Sequence, residues 1–211
     1  MRAGVTLSTN KIGMTPGLRK TVLLLEGKTL TRFDETGMIV LQKLNLSQPY
    51  KQVFERAKYF VALSNGGIDL LDKKTGKRRI GFTLNHSPIG QMACHPTRNV
   101  SYVTIPKRSG SRTDAVATKI VLEVKESTGS VQVLSGVNGN MVQVHPSGKV
   151  LYTCVRDLYK NGIRIDRRFN VLNKYGHVDV IFAFDITGRQ PRLIGTNRSP
   201  GANGRKLLVS P

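Results

Sequence analysis

Four Thr-Gly turns, each set between two short runs of β-forming residues, constrain this chain more than anything else in it. They are DETG (34–37), DKKTG (72–76), KESTG (125–129) and DITG (185–188). TLTRF, GIDLL, KIVLEV and VDVIFAF precede them, and MIVLQKL, RRIGFTL, SVQVLSG and PRLIGT follow. Val, Ile, Phe and Thr are frequent in these runs, and a period near two dominates over a helical one. A polar residue followed by Thr-Gly between such runs marks a tight hairpin, because glycine accepts the positive φ such a turn requires. Four in register mark a repeat.

A second landmark recurs between the turns. QMACHPTRNVSYVTI (91–105) and MVQVHPSGKVLYTCV (141–155) align without a gap: a strand ending in His-Pro, a polar turn, then a strand with Tyr near its middle. Pro ends the first strand because it cannot donate to a ladder. YKQVFERAKYFVAL (50–63) repeats the outline without His-Pro, and RKLLVSP (205–211) repeats its first half. The charges of the former admit an amphipathic helix, but its alignment with the His-Pro segments predicts two strands with a turn near Ala57 and Lys58.

The intervals assign the strands. From Thr-Gly to the next landmark they stay nearly constant (37 to 56, 76 to 96, 129 to 146, 188 to 211). From landmark to the following Thr-Gly they grow (56 to 76, 96 to 129, 146 to 188). With the landmark ending strand A and Thr-Gly joining C to D, all the added length falls in the B–C loop. Stacked repeats tolerate insertion there, at one loop on one face. The expected class is all-β: a β-propeller of four-stranded antiparallel blades, about four in this chain, with hairpin turns near 36–37, 75–76, 128–129 and 187–188.

Strand, His-Pro-Ser-Gly-Lys, strand with Leu-Tyr, then an Asp-x-Thr-Gly hairpin: this pattern, over about residues 20–211, resembles the YVTN and lactonase-like β-propellers. It is more distantly similar to WD-repeat propellers, although the Gly-His and Trp-Asp dipeptides are missing and the chain has no Trp. The first blade is expected to begin at its B strand (RKTVLLLEG, 19–27), with residues 1–18 as a linker and 19–211 as blades. The chain then reads either as a fragment of a larger propeller, prone to self-association through an open edge, or as a four-bladed ring in which 205–210 pair with 20–27. Of these the fragment is favoured.

Charge points to a partner class. Thirty-three Lys and Arg against thirteen Asp and Glu give +20. Such an excess concentrates anions and speeds encounter with polyanions, or else serves solubility. Two enlarged B–C loops carry much of it. PKRSGSRTDAVAT (106–118) holds Lys107, Arg108 and Arg112; 156–178 holds Arg156, Lys160, Arg164, Arg167, Arg168 and Lys174, with Tyr159, Phe169 and Tyr175 interleaved. Lys and Arg neutralise anionic groups, while aromatics such as Tyr159 and Tyr175 stack on bases or pack on a partner. Phe169 is assigned to packing the loop on its blade. A third cluster, KKTGKRR (73–79), is read as a solvated C–D hairpin.

Other chemistry is thin. His95 and His145 occupy equivalent repeat positions, which points to hydrogen bonds with a neighbouring loop or blade. Asp34, Asp72 and Asp185 precede hairpin turns, where Asp caps turn backbone. His177 has no identifiable Ser, Cys or Asp partner, and Cys94 and Cys154 read as small buried hydrophobes. Lactonase-like relatives are expected to use acidic and amide side chains at the central channel, and no matching set occurs. No catalytic residue, metal or cofactor is assigned. The primary reading is a non-enzymatic scaffold whose basic B–C face binds an acidic protein or other polyanion. The alternatives are part of a lactonase-like enzyme with its active site outside this chain, and a nucleic-acid binder. No signal peptide and no apolar run near the roughly 18–20 residues of a membrane span is found, so the default location is cytoplasmic.

Overall fold

The computed structural model describes residues 12–16, 21–84, 89–106, 119–155, 159–160, 163–164 and 178–200. Among them are eighteen strands and no helix. Two compact units divide the chain at Asn85 and His86, each built on two four-stranded antiparallel blades.

In the first unit, blade 1 is β1 (Ile12–Pro16), β2 (Val22–Glu26), β3 (Thr29–Phe33) and β4 (Val40–Asn45); blade 2 is β5 (Gln52–Glu55), β6 (Tyr59–Leu63), β7 (Gly67–Asp72) and β8 (Arg78–Thr83). Each sheet follows chain order, the meander of a propeller blade. QPYKQVFERAKYFVAL forms two strands, as its alignment predicts. Blade 1 differs from expectation at its start. β1 pairs with β2 from Ile12↔Glu26 to Pro16↔Val22, so the blade has its own A strand inside the segment expected to be a linker. The edge of β2 that 205–210 were to close is therefore filled by β1. Residues 205–211 lie outside the described residues. β1 escaped the sequence reading because IGMTP lacks the β-branched alternation and the landmark of the other A strands.

In the second unit, blade 3 is β9 (Met92–Cys94), β10 (Val100–Pro106), β11 (Lys119–Lys125) and β12 (Val131–Asn138). Blade 4 is β13 (Met141–Val144), β14 (Val150–Val155), β17 (Val178–Asp185) and β18 (Arg192–Pro200), with a small hairpin, β15 (Tyr159–Lys160) and β16 (Ile163–Arg164), between its second and third strands.

Burial follows strand position. In blade 2, β6 and β7 are buried on both faces, from Phe60 to Leu63 and from Gly67 to Leu71, while β8 is largely exposed. One core joins blades 1 and 2 through Leu23, Leu30, Leu44, Val53, Phe60 and Leu71. A separate core joins blades 3 and 4 through Tyr102, Val121, Leu134, Val142, Leu151 and Phe184. Polar ties cross between blades as well: Thr15 donates to the Val53 carbonyl at 2.6 Å, and Thr153 to the Asn138 carbonyl at 2.8 Å.

The outermost strands are treated alike in all four blades. Every C–D ladder carries a register shift. In blades 1, 2 and 4 one extra residue falls just past the hairpin, at Leu41, Arg79 and Ile194. In blade 3 it falls further along, between the Leu122↔Val133 and Ile120↔Asn138 pairs, where Gly136 has a φ of 75°. Bulges twist an edge strand away from flat pairing. They matter here because, among the described residues, the exposed large apolar ones, Val40, Leu41, Ile80, Val131, Val133, Leu193 and Ile194, lie on these outer strands, with Met38 and Ile39 in the turn before one.

Candidate functional site

Each C strand runs from its B–C connection to its C–D turn, so the two ends of a blade are built from different loops. The B–C connection of blade 1 is the two-residue hairpin Gly27-Lys28, closed by the Glu26↔Thr29 pair. In blade 2 it is the short Ser64–Gly66 turn, in which Ser64 accepts from the Gly67 amide at 3.1 Å. In blade 3 it spans 107–118, between the Pro106↔Lys119 pair, and in blade 4 it spans 156–177, between β14 and β17. The extra length of the repeat thus falls where the intervals assign it.

Of the candidate binding residues, Tyr159, Lys160 and Arg164 sit on the β15–β16 hairpin, with Tyr159 opposite Arg164. Arg156, Arg167, Arg168, Lys174 and Tyr175 of that loop, and Lys107, Arg108 and Arg112 of blade 3, lie outside the described residues, as do Phe169 and His177.

The opposite end, formed by A–B and C–D turns, lies within the described residues except for 17–20 of blade 1. Asp34 accepts from Thr36 Oγ1 and the amides of Met38 and Ile39. Asp72 accepts from the amides of Lys74 and Thr75, each at 2.9 Å. Asp185 accepts from the Thr187 amide at 2.9 Å and from its hydroxyl at 2.6 Å. These bonds hold all three carboxyls below the usual carboxylate range. The three aspartates therefore cap turns, as their positions predict. Gly37, Gly76 and Gly129 take φ values of 73°, 70° and 71°. Gly188 does not adopt the left-handed conformation, because the blade 4 turn is longer and closes at Asp185↔Arg192.

His95 shows what the repeated histidine does. Its Nδ1 accepts from the amides of Thr97 (3.2 Å) and Arg98 (3.0 Å), which leaves Nε2 to donate to the Gly148 carbonyl of blade 4 at 2.9 Å. His145 uses Nδ1 in the same way, accepting from the Ser147 amide at 3.1 Å. Blade 2 has Arg56 at this place. Its amide donates to Tyr59 O as the His95 amide donates to Val100 O, across a turn two residues shorter.

Sequence reasoning missed the buried charges. The Glu55 side chain is fully buried and meets Lys73 Nζ at 2.6 Å and Arg32 at 3.5 Å, while Thr21 donates to its other oxygen at 3.2 Å. Asp69 accepts from Tyr50 Oη (2.9 Å) and Gln48 Nε2 (2.8 Å) and pairs with Arg78 at 3.0 Å. Arg79 pairs with Asp72 at 3.4 Å. KKTGKRR is therefore only partly the solvated hairpin expected: Lys73, Arg78 and Arg79 form ion pairs within blade 2, while Lys74 and Lys77 are exposed and form no ion pair among the described residues. In blade 3, Cys94 is half-buried beside Ser101 (3.4 Å), which donates to the buried Glu126 at 2.7 Å. Cys94 thus belongs to a polar string, and Cys154 is buried, as expected.

A cleft of about 180 Å³ opens between blades 3 and 4 at this end, where Arg98, Glu123, Gln132 and Leu134 face Ile186 and Arg189. Arg98 Nη2 donates to Tyr102 Oη at 3.0 Å. Burial pushes the Tyr102 phenol up to about 12, with the Glu123 charge adding to the shift and Arg98 opposing it.

No family model and no curated protein matches the sequence. The fold does have solved counterparts. It is similar to hydrazine synthase from Kuenenia stuttgartiensis (TM-score 0.56, 10% identity, 86% of this chain and 51% of that one). It is also similar to the tricorn protease (0.54, 13%, 91% and 18%). A third match is the β-propeller domain of Cps50 (Swd1) from Myceliophteria thermophila (0.52, 12%, 93% and 75%). This chain spans about half the length of the first and under a fifth of the second. At these identities the likeness concerns the fold: the chain has four antiparallel four-stranded blades of the β-propeller kind.

Proposed function

We propose that this propeller is a non-enzymatic binding scaffold whose basic B–C loops engage an acidic protein or another polyanion. One observation carries the reading. The B–C loops of blades 3 and 4 hold nine Lys and Arg against three Asp, whereas three of the five basic residues of the blade 2 C–D hairpin are consumed by ion pairs within that blade. A local surplus of cations over carboxylates draws anions, whereas cations already matched by carboxylates largely do not. A propeller suits the task, because its strands fix the fold while its loops vary freely. The finer kinship with YVTN and lactonase-like propellers is part of the same proposal, supported by the His-Pro-Ser-Gly-Lys turn and the Asp-x-Thr-Gly hairpins.

The experiment compares two charge reversals of equal size. Arg164, Arg167 and Arg168 are replaced by Glu in one variant, and Lys58, Lys74 and Lys77 in the other. The second set is exposed, carries no ion pair among the described residues, and sits on A–B and C–D turns. Binding to heparin and to an acidic protein should fall severely in the first variant and little in the second. Equal loss in both would reduce the interaction to the general field of a +20 protein.

A further inference from the structure

The cleft between blades 3 and 4 lies on the blade end opposite the B–C loops, and its construction is specific. Ala93, Tyr102, Glu123 and Gln132 stand directly opposite one another on the four strands of blade 3, so they form one row across a single face. The row changes character from inside outward. Ala93 and Tyr102 are buried, Glu123 is half-buried and Gln132 is exposed. The cleft sits at the outer, polar part of that row. Arg98 comes down on it from the A–B turn of the same blade, and Arg189 faces it from the C–D turn of blade 4.

The two arginines differ in how they are held. The Arg98 guanidinium is fixed by the buried Tyr102 hydroxyl. Such anchoring sets the direction of its other N–H groups before any ligand arrives, which lowers the ordering cost of binding. Arg189 is exposed and has no hydrogen bond or ion pair among the described residues. Two guanidinium groups against one carboxylate leave the cleft with a surplus of one positive charge. Arg presents a planar fork that matches a carboxylate in two-point geometry. Leu134 and Ile186 supply an apolar floor for the methylenes that carry such a group.

Size narrows the ligand. At about 180 Å³ the cleft is smaller than the roughly 300–1,000 Å³ sites that enclose drug-sized ligands and cofactors. It has room for about six waters, which is the scale of one side chain. We infer that this cleft receives the carboxylate of a single Glu or Asp side chain from an acidic protein partner, clamped between Arg98 and Arg189 with Gln132 as a further donor. Glu123 sets the stringency: its charge opposes a dianion more strongly than a monoanion. The site stands independently of the B–C loops, and either surface can fail alone.

The test is a titration of isotope-labelled protein with acetyl-Ala-Ala-Glu-Ala-Ala-amide, followed by amide chemical shifts. Saturable shifts should centre on residues 98, 132 and 189, with none from the Gln-containing peptide. Arg189→Gln should weaken the affinity about tenfold, as loss of one charge-assisted hydrogen bond implies. Glu123→Gln should strengthen it, a gain that mere structural damage would not produce. The triple reversal at Arg164, Arg167 and Arg168 should leave these shifts in place. Equal binding of the Gln peptide, shifts centred elsewhere, or an unchanged affinity in Arg189→Gln would overturn the assignment. A phosphoserine peptide binding more than tenfold tighter at the same residues would replace the carboxylate by a phosphate.

Discussion

His95 Nε2 lies 2.9 Å from the carbonyl oxygen of Gly148, so the turn after the A strand of blade 3 is bonded to the matching turn of blade 4. The same ring accepts two amides of its own turn through Nδ1. One side chain therefore organises a turn and ties it to the next blade. Gly148 is shaped for this approach: its φ is 72°, and a Cβ there would come within 2.6 Å of His95 Cε1.

His95→Ala should cost about 2–4 kcal/mol in urea unfolding, because it empties a buried site and leaves the Gly148 carbonyl and two amides to find new partners. Gly148→Ala should cost about 1–3 kcal/mol from backbone strain and the clash with the ring. The double variant should lose less than the sum of the two, since removing the imidazole removes the clash. Strict additivity would mean that the two turns do not act as one unit.

Glu55→Gln should destabilise the first unit by about 3 kcal/mol, read as a lower unfolding midpoint. The carboxylate is fully buried between Lys73 and Arg32, and the neutral amide leaves two cations around a site without a countercharge. Replacing Lys74, exposed on the same hairpin, by Gln should change stability by less than about 0.5 kcal/mol.

Three hairpin carboxyls have folded pKa values below their ordinary value of 3.8. The leading cause is the Thr36 hydroxyl for Asp34, the Thr75 amide for Asp72 and the Thr187 hydroxyl for Asp185. A depressed folded pKa gives stability that is fully present above the unfolded value and is lost as the pH falls through the folded one. Wild type should therefore lose stability relative to the Asp34→Asn, Asp72→Asn, Asp185→Asn variant only below about pH 4, with a constant difference between about pH 5 and 8. Denaturant midpoints measured across that range check the sign.

The four Thr-Gly turns should not respond alike to alanine. Gly76→Ala should cost about 1–2 kcal/mol, since its φ is 70° and a new Cβ would lie 3.1 Å from Leu46 Cδ2. Gly188→Ala, with no positive φ and nothing nearer than Gln190 O at 3.8 Å, should be neutral or stabilise by up to about 1 kcal/mol. Thermal unfolding of the two single variants separates them.

The repeat was legible because local chemistry fixes it. A Thr-Gly turn needs its residues whatever surrounds it, and an Asp that caps a turn finds its donors within five residues, as Asp34 does with Ile39. Strand alternation, the C–D position of the hairpins and the B–C position of the insertions follow from that local code. Tertiary structure alone decided the remainder. The pairing of Ile12–Pro16 with β2 has no signature of its own and exists because β2 offers an edge. Glu55 reads as a surface residue of a charged segment, yet it is buried, because Lys73 and Arg32 reach it from a turn and from another blade. The bond from His95 to Gly148 joins residues 53 apart, and the arginine cleft forms only where two blades meet. Sequence spacing governs contacts made within a turn; contacts between blades depend on packing, which brings together residues that no local pattern relates.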